Sequence, residues 1–209
     1  VLQQNKVVNL KIASKTMSGL VIHPGETFSF FKLVGKVTPK KGYKAGRVIQ
    51  HGKLVPDTGG GLCNLANTIH LLVLDSPLDV TEFHTHSDAL APDHGVRVPM
   101  SAGTSVSYNY VDFRFKNNTD QNFQLLIWFD DERMHGELRC ERPVPWTYEI
   151  VEEGHHFRKE GDAYYRVSKI YRDVKDKASG ELVRRELIWD NHSKVMFDPS
   201  EIPADQIRE

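Results

Sequence analysis

The stretch 58–70 constrains the fold more than any other part of the chain. Three consecutive glycines run through Leu62 into a single cysteine, Cys63, and an apolar periodic segment follows at once. Its apolar residues recur at steps of four and three residues, at Leu65, Ile69 and Leu72. This spacing is typical of a helix that packs one face on a core. The sequence therefore predicts a buried helix that begins behind a glycine loop, with Cys63 at or near its first turn.

The position of Cys63 allows two interpretations. The first N–H groups of a helix have no partner within the helix, and the helix dipole adds partial positive charge there. A thiolate is favoured in that field, so we expect the pKa of Cys63 to fall and its nucleophilicity to rise. N–H groups of the preceding loop would then bind an oxyanion; the loop residues are Gly59, Gly60, Gly61 and Leu62. The alternative is a buried structural cysteine behind a tight turn.

Two histidines are candidate bases for this thiol, because a thiol nucleophile needs a base and usually a third group that orients the base. The alternation over 78–87 predicts a strand on which His84 and His86 point the same way. We prefer His86 as the base. His70 lies roughly 10 Å along the helix from Cys63, which is too far for direct proton transfer. Candidates for the orienting group are Asn64, Asn67, Asp88, Asp93 and His94.

The same side chains also allow a metal site. Cys63, His84 and His86 with one carboxylate would suit zinc, which binds sulfur, imidazole nitrogen and carboxylate oxygen. Alternating histidines occur on solvated strand edges as well. A catalytic dyad, a zinc site and neither of these are therefore three open alternatives, and apart from zinc we expect no cofactor.

Composition limits the class of protein. The chain has 209 residues, 26% of them charged, and a net charge of -1, so no basic surface indicates a nucleic-acid partner. No stretch approaches the ~18 apolar residues of a membrane span. Cys63 and Cys140 are expected to be free thiols, since their setting resembles no disulfide framework. The chain opens on Val1, so we expect a truncated N-terminus, and both the cytoplasm and the cell envelope stay open as compartments.

The remaining patterns predict an α+β fold, with two main helices on a largely antiparallel sheet. The first helix is expected over 3–18, and alternation over 105–141 indicates an antiparallel meander. Pro143 and Pro145 mark a boundary before a small C-terminal β-hairpin segment. The predicted division is a main domain at 1–142, a β-rich extension at 143–198 and a flexible tail at 199–209.

Five ordered blocks of the sequence resemble the signature blocks of the VanW family. They are residues 24–30, 42–43, 59–63, 82–87 and 112–120. The resemblance covers about residues 3–140 closely. Two positions depart from the family pattern: Asn64 stands where glutamine is typical, and Phe83 stands where arginine is typical.

The resemblance implies a bacterial protein of cell-envelope biology. VanW-like proteins include an accessory component of vancomycin-resistance clusters, and others are joined to peptidoglycan-binding modules. A peptidoglycan stem peptide or precursor is therefore the expected partner. One hypothesis is a Cys63/His86 hydrolase or transferase that acts on an amide or ester of such a peptide. The other is a non-catalytic accessory module, with the glycine loop shaping a binding groove.

Overall fold

The computed structural model describes residues 2–50, 53–86, 88–89, 92 and 103–208. The chain divides into two compact units, and each is assembled from two separate segments. The first unit comprises Val1–Thr85 and Ala102–Val144, and the second comprises His86–Ser101 and Pro145–Glu209. Helices and strands are both present in substantial amounts, which confirms the α+β class.

The described residues form three α-helices and thirteen strands. The helices are α1 (Leu2–Ser14), α2 (Phe30–Val34) and α3 (Leu62–Leu74). The strands are β1 (Val21–Ile22), β2 (Thr27–Ser29), β3 (Ala45–Gln50), β4 (Lys53–Thr58), β5 (Asp79–Glu82), β6 (Asp88–Ala89), β7 (Arg114–Lys116), β8 (Phe123–Phe129), β9 (Met134–Cys140), β10 (Trp146–Glu160), β11 (Ala163–Asp176), β12 (Leu182–Val195) and β13 (Ile207–Arg208).

In the first unit, short antiparallel strands and two long helices enclose an aromatic core. The strands form the sheets β1-β8-β9 and β2-β7-β5 and the hairpin β3-β4. Phe28 and Phe115 lie side by side on β2 and β7, and their rings stack with centroids 4.6 Å apart. The buried face of α3 packs in the same cluster through Leu65, Ala66, Ile69 and Val73. This packing fixes the start of α3, and with it the position of Cys63.

The two predicted helices are present, with one difference in length. Helix α3 begins at Leu62 directly behind the glycines, as its periodicity predicts. Helix α1 ends at Ser14 and not at 18, because the chain turns between Thr16 and Gly19, where Ser18 donates its backbone N–H to the carbonyl of Ser14. No helix among the described residues is long and apolar enough to cross a membrane.

The second unit is built on a meander of three long antiparallel strands, β10, β11 and β12, where a small hairpin was expected. Strands β13 and β6 add parallel pairings at its two sides. A bulge between Glu153 and His156 lets β10 continue through Gly154, which has a φ of 65°. At the C-terminal end, Ile202 is buried and packs with Phe157. The residues from 199 therefore form 3-10 turns and strand β13, in place of a loose tail.

Candidate functional site

The glycine loop is held in place by α1 and β3 through close backbone contacts. The Asn9 side chain on α1 donates to the carbonyls of Gly60 and Lys44, both at 3.0 Å. A Cβ added at Gly46 on β3 would lie 2.9 Å from Gly60 Cα. Glycine at both positions thus allows two backbone segments to approach closely. The loop has a packing role that the sequence alone did not indicate.

Two N–H groups near this loop are already donated within the chain. The Gly59 N–H donates to the carbonyl of Lys44 at 3.0 Å, and the Asn64 N–H donates to the carbonyl of Gly61 at 2.9 Å. Gly61 lies at the N-cap of α3 with a φ of 105°. The predicted oxyanion role therefore rests on the N–H groups between Gly59 and Asn64, and it stays a prediction.

Cys63 lies in the first turn of α3, half-buried, and its thiol donates to the carbonyl of Val106 at 3.5 Å. Burial raises the pKa of Cys63, although hydrogen bonding to backbone groups opposes the rise. A thiolate loses hydration when it is buried, so its formation is disfavoured there. The shift is opposite to the one expected from the helix terminus. As folded, Cys63 is held as a thiol with a backbone partner.

His70 and Asn67 tie α3 to a neighbouring segment. The Asn67 side-chain oxygen accepts from both the N–H and the hydroxyl of Thr104, at 3.1 and 2.9 Å. His70 Nδ1 lies 3.0 Å from the same hydroxyl, and its ring packs between Phe83 and Phe113. His70 is fully buried. These contacts give both residues a structural role, in agreement with the exclusion of His70 as the base.

The two candidate histidines do not alternate on one strand. Strand β5 ends at Glu82, because β7, its partner in the sheet, pairs with it only as far as Glu82. His84 Nε2 lies 3.1 Å from a Glu82 carboxylate oxygen. His86 belongs to the second unit, where burial lowers its pKa and the charge of Asp88 opposes that shift. The Cys63/His86 dyad therefore remains a prediction, and the orienting candidates Asp93 and His94 lie outside the described residues.

The zinc alternative gains no support from the described part of the chain. It contains no group of three or more histidine, cysteine, aspartate or glutamate side chains that could hold a metal ion. Cys63 is hydrogen-bonded to a backbone carbonyl, and His84 is paired with Glu82. Neither contact brings these two candidate ligands together.

A groove that sequence reasoning missed lies elsewhere in the first unit. It is open, has a volume of about 630 Å³, and is walled by β2, the start of α2, the segment 107–112 and the beginning of β7. Three aromatic and four charged residues line it: Phe31, Tyr108, Tyr110, Lys32, Glu82, Asp112 and Arg114. We call it the aromatic–arginine groove. Its size falls in the range of ligand sites, roughly 300–1,000 Å³.

Asp112 anchors the floor of this groove. One carboxylate oxygen accepts from the Ser29 hydroxyl at 2.6 Å and from Arg114 Nε at 2.9 Å. The other accepts from the backbone N–H groups of Phe31 at 3.0 Å and Phe113 at 2.9 Å. Burial acts to raise the pKa of Asp112, but these hydrogen bonds outweigh it, and the pKa lies below its usual value. The carboxylate is therefore ionised and joins β2, α2 and β7.

Glu82 extends the network at the end of β5. One of its carboxylate oxygens accepts from the Asp112 N–H at 3.2 Å and lies 3.1 Å from His84 Nε2. Its other oxygen is 3.3 Å from Arg114 Nε. The carboxylates of Asp112 and Glu82 thus both contact the Nε atom of the Arg114 guanidinium. The sequence signal for this network was the pair of family-like blocks 82–87 and 112–120. Glu82 of the first block contacts Arg114 of the second block.

Comparison with known proteins shows the family to which the chain belongs. The model of the VanW family, described as VanW like protein, matches residues 5–139. The chain belongs to the VanW family. The matched range includes α3, the glycine loop and every residue of the aromatic–arginine groove.

Two curated relatives extend the comparison. The vancomycin B-type resistance protein VanW of Enterococcus faecalis is 30% identical over 195 residues, which cover 93% of this chain and 71% of that protein. The uncharacterized protein YoaR of Bacillus subtilis is 33% identical over 113 residues, 54% of this chain and 36% of that protein. No solved structure matches the chain. The similarity to the enterococcal protein extends over more of the chain than the residues that the family model matches.

Proposed function

We propose that this VanW-family chain is a non-catalytic accessory protein of vancomycin resistance in the cell envelope, and that its aromatic–arginine groove binds a peptidoglycan stem peptide or precursor. The observation that carries the proposal is the groove itself. It offers open volume, an aromatic wall and a charged floor within one compact unit. A binding role needs no activated nucleophile, which accords with the raised pKa of Cys63.

The aromatic wall suits a short peptide. Tyr110 is 86% exposed, and Tyr108 packs edge-on against Phe31 with ring centroids 5.7 Å apart. Tyrosine gives a large and rigid contact surface with a hydroxyl at its tip, which favours ligands that are partly apolar. An exposed tyrosine beside a groove is thus available for contact with a bound chain.

We expect Tyr110→Ala to weaken stem-peptide binding about tenfold, because tyrosine is enriched among the interface residues whose truncation costs more than about 1 kcal/mol. Isothermal titration with a synthetic stem pentapeptide measures the effect. Trp128→Ala is the matched control, since Trp128 is an exposed aromatic residue of the first unit outside the groove. Absence of binding by the unmodified protein, or equal affinity of the Tyr110 variant, would contradict the proposal.

The second candidate function is a cysteine hydrolase or transferase on a cell-wall peptide. Its supporting observation is the placement of Cys63 in the first turn of α3, directly behind the glycine loop. In that reaction Cys63 would attack the carbonyl and form a thioester as the C–N or C–O bond breaks, and His86 would pass the thiol proton to the leaving amine or alcohol. N–H groups of the loop would bind the oxyanion, and water or an acceptor amine would then release the acyl group. We rank this function below peptide binding, because burial of the Cys63 thiol disfavours the thiolate that the reaction needs.

Alkylation of Cys63 at different pH values separates the two functions. With the exposed Cys140 changed to Ser, we expect slow alkylation and an inflection above the pKa of a free cysteine, because burial raises the pKa of Cys63. His86→Ala should leave this curve unchanged. An inflection well below the ~8.5 of a free cysteine, shifted in the His86 variant, would establish the dyad instead.

A further inference from the structure

The guanidinium of Arg114, a residue that lines the groove, is held through its Nε atom. Its Nε interacts with Asp112 at 2.9 Å and with Glu82 at 3.3 Å. Its two Nη atoms make no hydrogen bond among the residues that the structure describes. The side chain is 49% exposed and lines the groove. The Nη donors are therefore available to a ligand, and they belong to a guanidinium whose Nε is fixed by two carboxylates.

A second cation lines the same groove. Lys32, on α2, makes no side-chain hydrogen bond or ion pair within the described ranges. Both carboxylates of the groove, Asp112 and Glu82, are occupied by Arg114 Nε and by other donors of the unit. The donors that remain available to a ligand are thus the Nη groups of Arg114 and the ammonium group of Lys32, and of these two cations only Arg114 has carboxylate partners among the described residues.

We infer that the aromatic–arginine groove recognises the terminal carboxylate of a short peptide, with the Arg114 Nη atoms and Lys32 Nζ as its donors. This inference rests on the proposed function and names the ligand group that the groove reads. A guanidinium fork matches a carboxylate in bidentate geometry, and its pre-organisation by Asp112 and Glu82 reduces the entropy lost on binding. Tyr108 and Tyr110 then contact the apolar side chains next to that carboxylate.

Three small ligands test the inference by isothermal titration. They are N-acetyl-alanyl-alanine with a free carboxylate, the same dipeptide with a C-terminal amide, and glucuronate as a carboxylate on a sugar. We expect the free acid to bind about tenfold more tightly than the amide, and more tightly than glucuronate, which lacks the apolar side chains. Preference for glucuronate over the acid dipeptide would overturn the peptide assignment.

Variants of Arg114 and Lys32 test whether these side chains produce the preference for the acid dipeptide over its amide. Arg114→Gln should remove most of the difference between acid and amide, and Lys32→Gln should reduce it. Lys32 joins the Asp112 network only through its backbone N–H, which donates to the Ser29 hydroxyl, so a change of its side chain tests the inference even if Arg114→Gln unfolds. Arg139→Gln is the control, because Arg139 is an exposed, ion-paired arginine of β9 away from the groove. An acid preference that persists in both the Arg114 and the Lys32 variants would overturn the inference.

The outcomes for the inference and for the proposed function are separable. Equal affinity for acid and amide, with binding still dependent on Tyr110, overturns the carboxylate assignment and leaves the proposed function in place. Arg114-dependent binding of the acid dipeptide without binding of the stem pentapeptide overturns the proposed function and leaves the carboxylate assignment in place. Absence of binding by both dipeptides overturns the carboxylate inference.

Discussion

Asp112→Ala is expected to lower the free energy of unfolding by about 2–4 kcal/mol, because hydrogen bonds to charged groups contribute about 1.5–3 kcal/mol each and are not additive. The change removes the acceptor of four donors, two of them backbone N–H groups at Phe31 and Phe113. Urea unfolding of the variant and of the unmodified chain measures the difference. Asp131→Ala, in an exposed turn, is the control and should change stability little.

The loss should depend on pH in a defined direction. The folded pKa of Asp112 lies below its ordinary value of 3.8. Its contribution to stability is therefore present above about pH 4 and is lost as the pH falls through the folded pKa. The stability difference between the unmodified chain and Asp112→Ala should narrow under acidic conditions. A difference that stays constant from pH 7 down to pH 2 would show that the charge of Asp112 has no part in the effect.

Gly59→Ala is expected to destabilise the fold by about 3 kcal/mol, from two costs. Gly59 has a φ of +86°, and a left-handed backbone costs a residue with a side chain about 1–2 kcal/mol. Its added Cβ would also lie 2.4 Å from Val37 Cγ1, and overpacking typically costs about 1–3 kcal/mol. Thermal or urea unfolding measures the sum.

Gly25→Ala separates the two costs. Gly25 has a φ of +82° but no atom within 4 Å of an added Cβ, so only the backbone cost of about 1–2 kcal/mol applies. Val37→Ala combined with Gly59→Ala should recover part of the loss by removing the clash. If Gly25→Ala and Gly59→Ala proved equally destabilising, close packing of the glycine loop would not be the cause.

Local periodicity predicted the parts of the fold that depend on near neighbours. It located helix α3, whose apolar residues recur at steps of three and four. The meander predicted over 105–141 was wrong in its first part, because over 105–116 only Arg114–Lys116 forms a strand. There the chain turns at Asn109, with a φ of 68°, and the Tyr110 N–H donates to the carbonyl of Ser107. Local hydrogen bonds override alternation at that point.

The candidate site was predictable only in part, for the same reason. The sequence located Cys63 at the start of a helix, but it did not indicate the contact of the thiol with the carbonyl of Val106, which is 43 positions away. The turn at 107–111 also places Tyr108 and Tyr110 in the wall of the groove, which a meander predicted over 105–141 does not indicate. A charge pair two residues apart, Asp112 and Arg114, inside an aromatic stretch was the signal that could have located the groove.

The pairing of β6 with β12 has a consequence for synthesis on the ribosome. Residues 88–89 pair with 194–195, so their partner emerges about a hundred residues later. At about 5–20 residues per second, this delay is about 5–20 s. Small domains fold in about 1 s or less, so the first unit, whose last segment ends at Val144, has time to fold before β12 exists. During that interval β6 has no partner strand in the nascent chain. A chaperone or another segment of the chain can then bind the edge that β12 pairs with later.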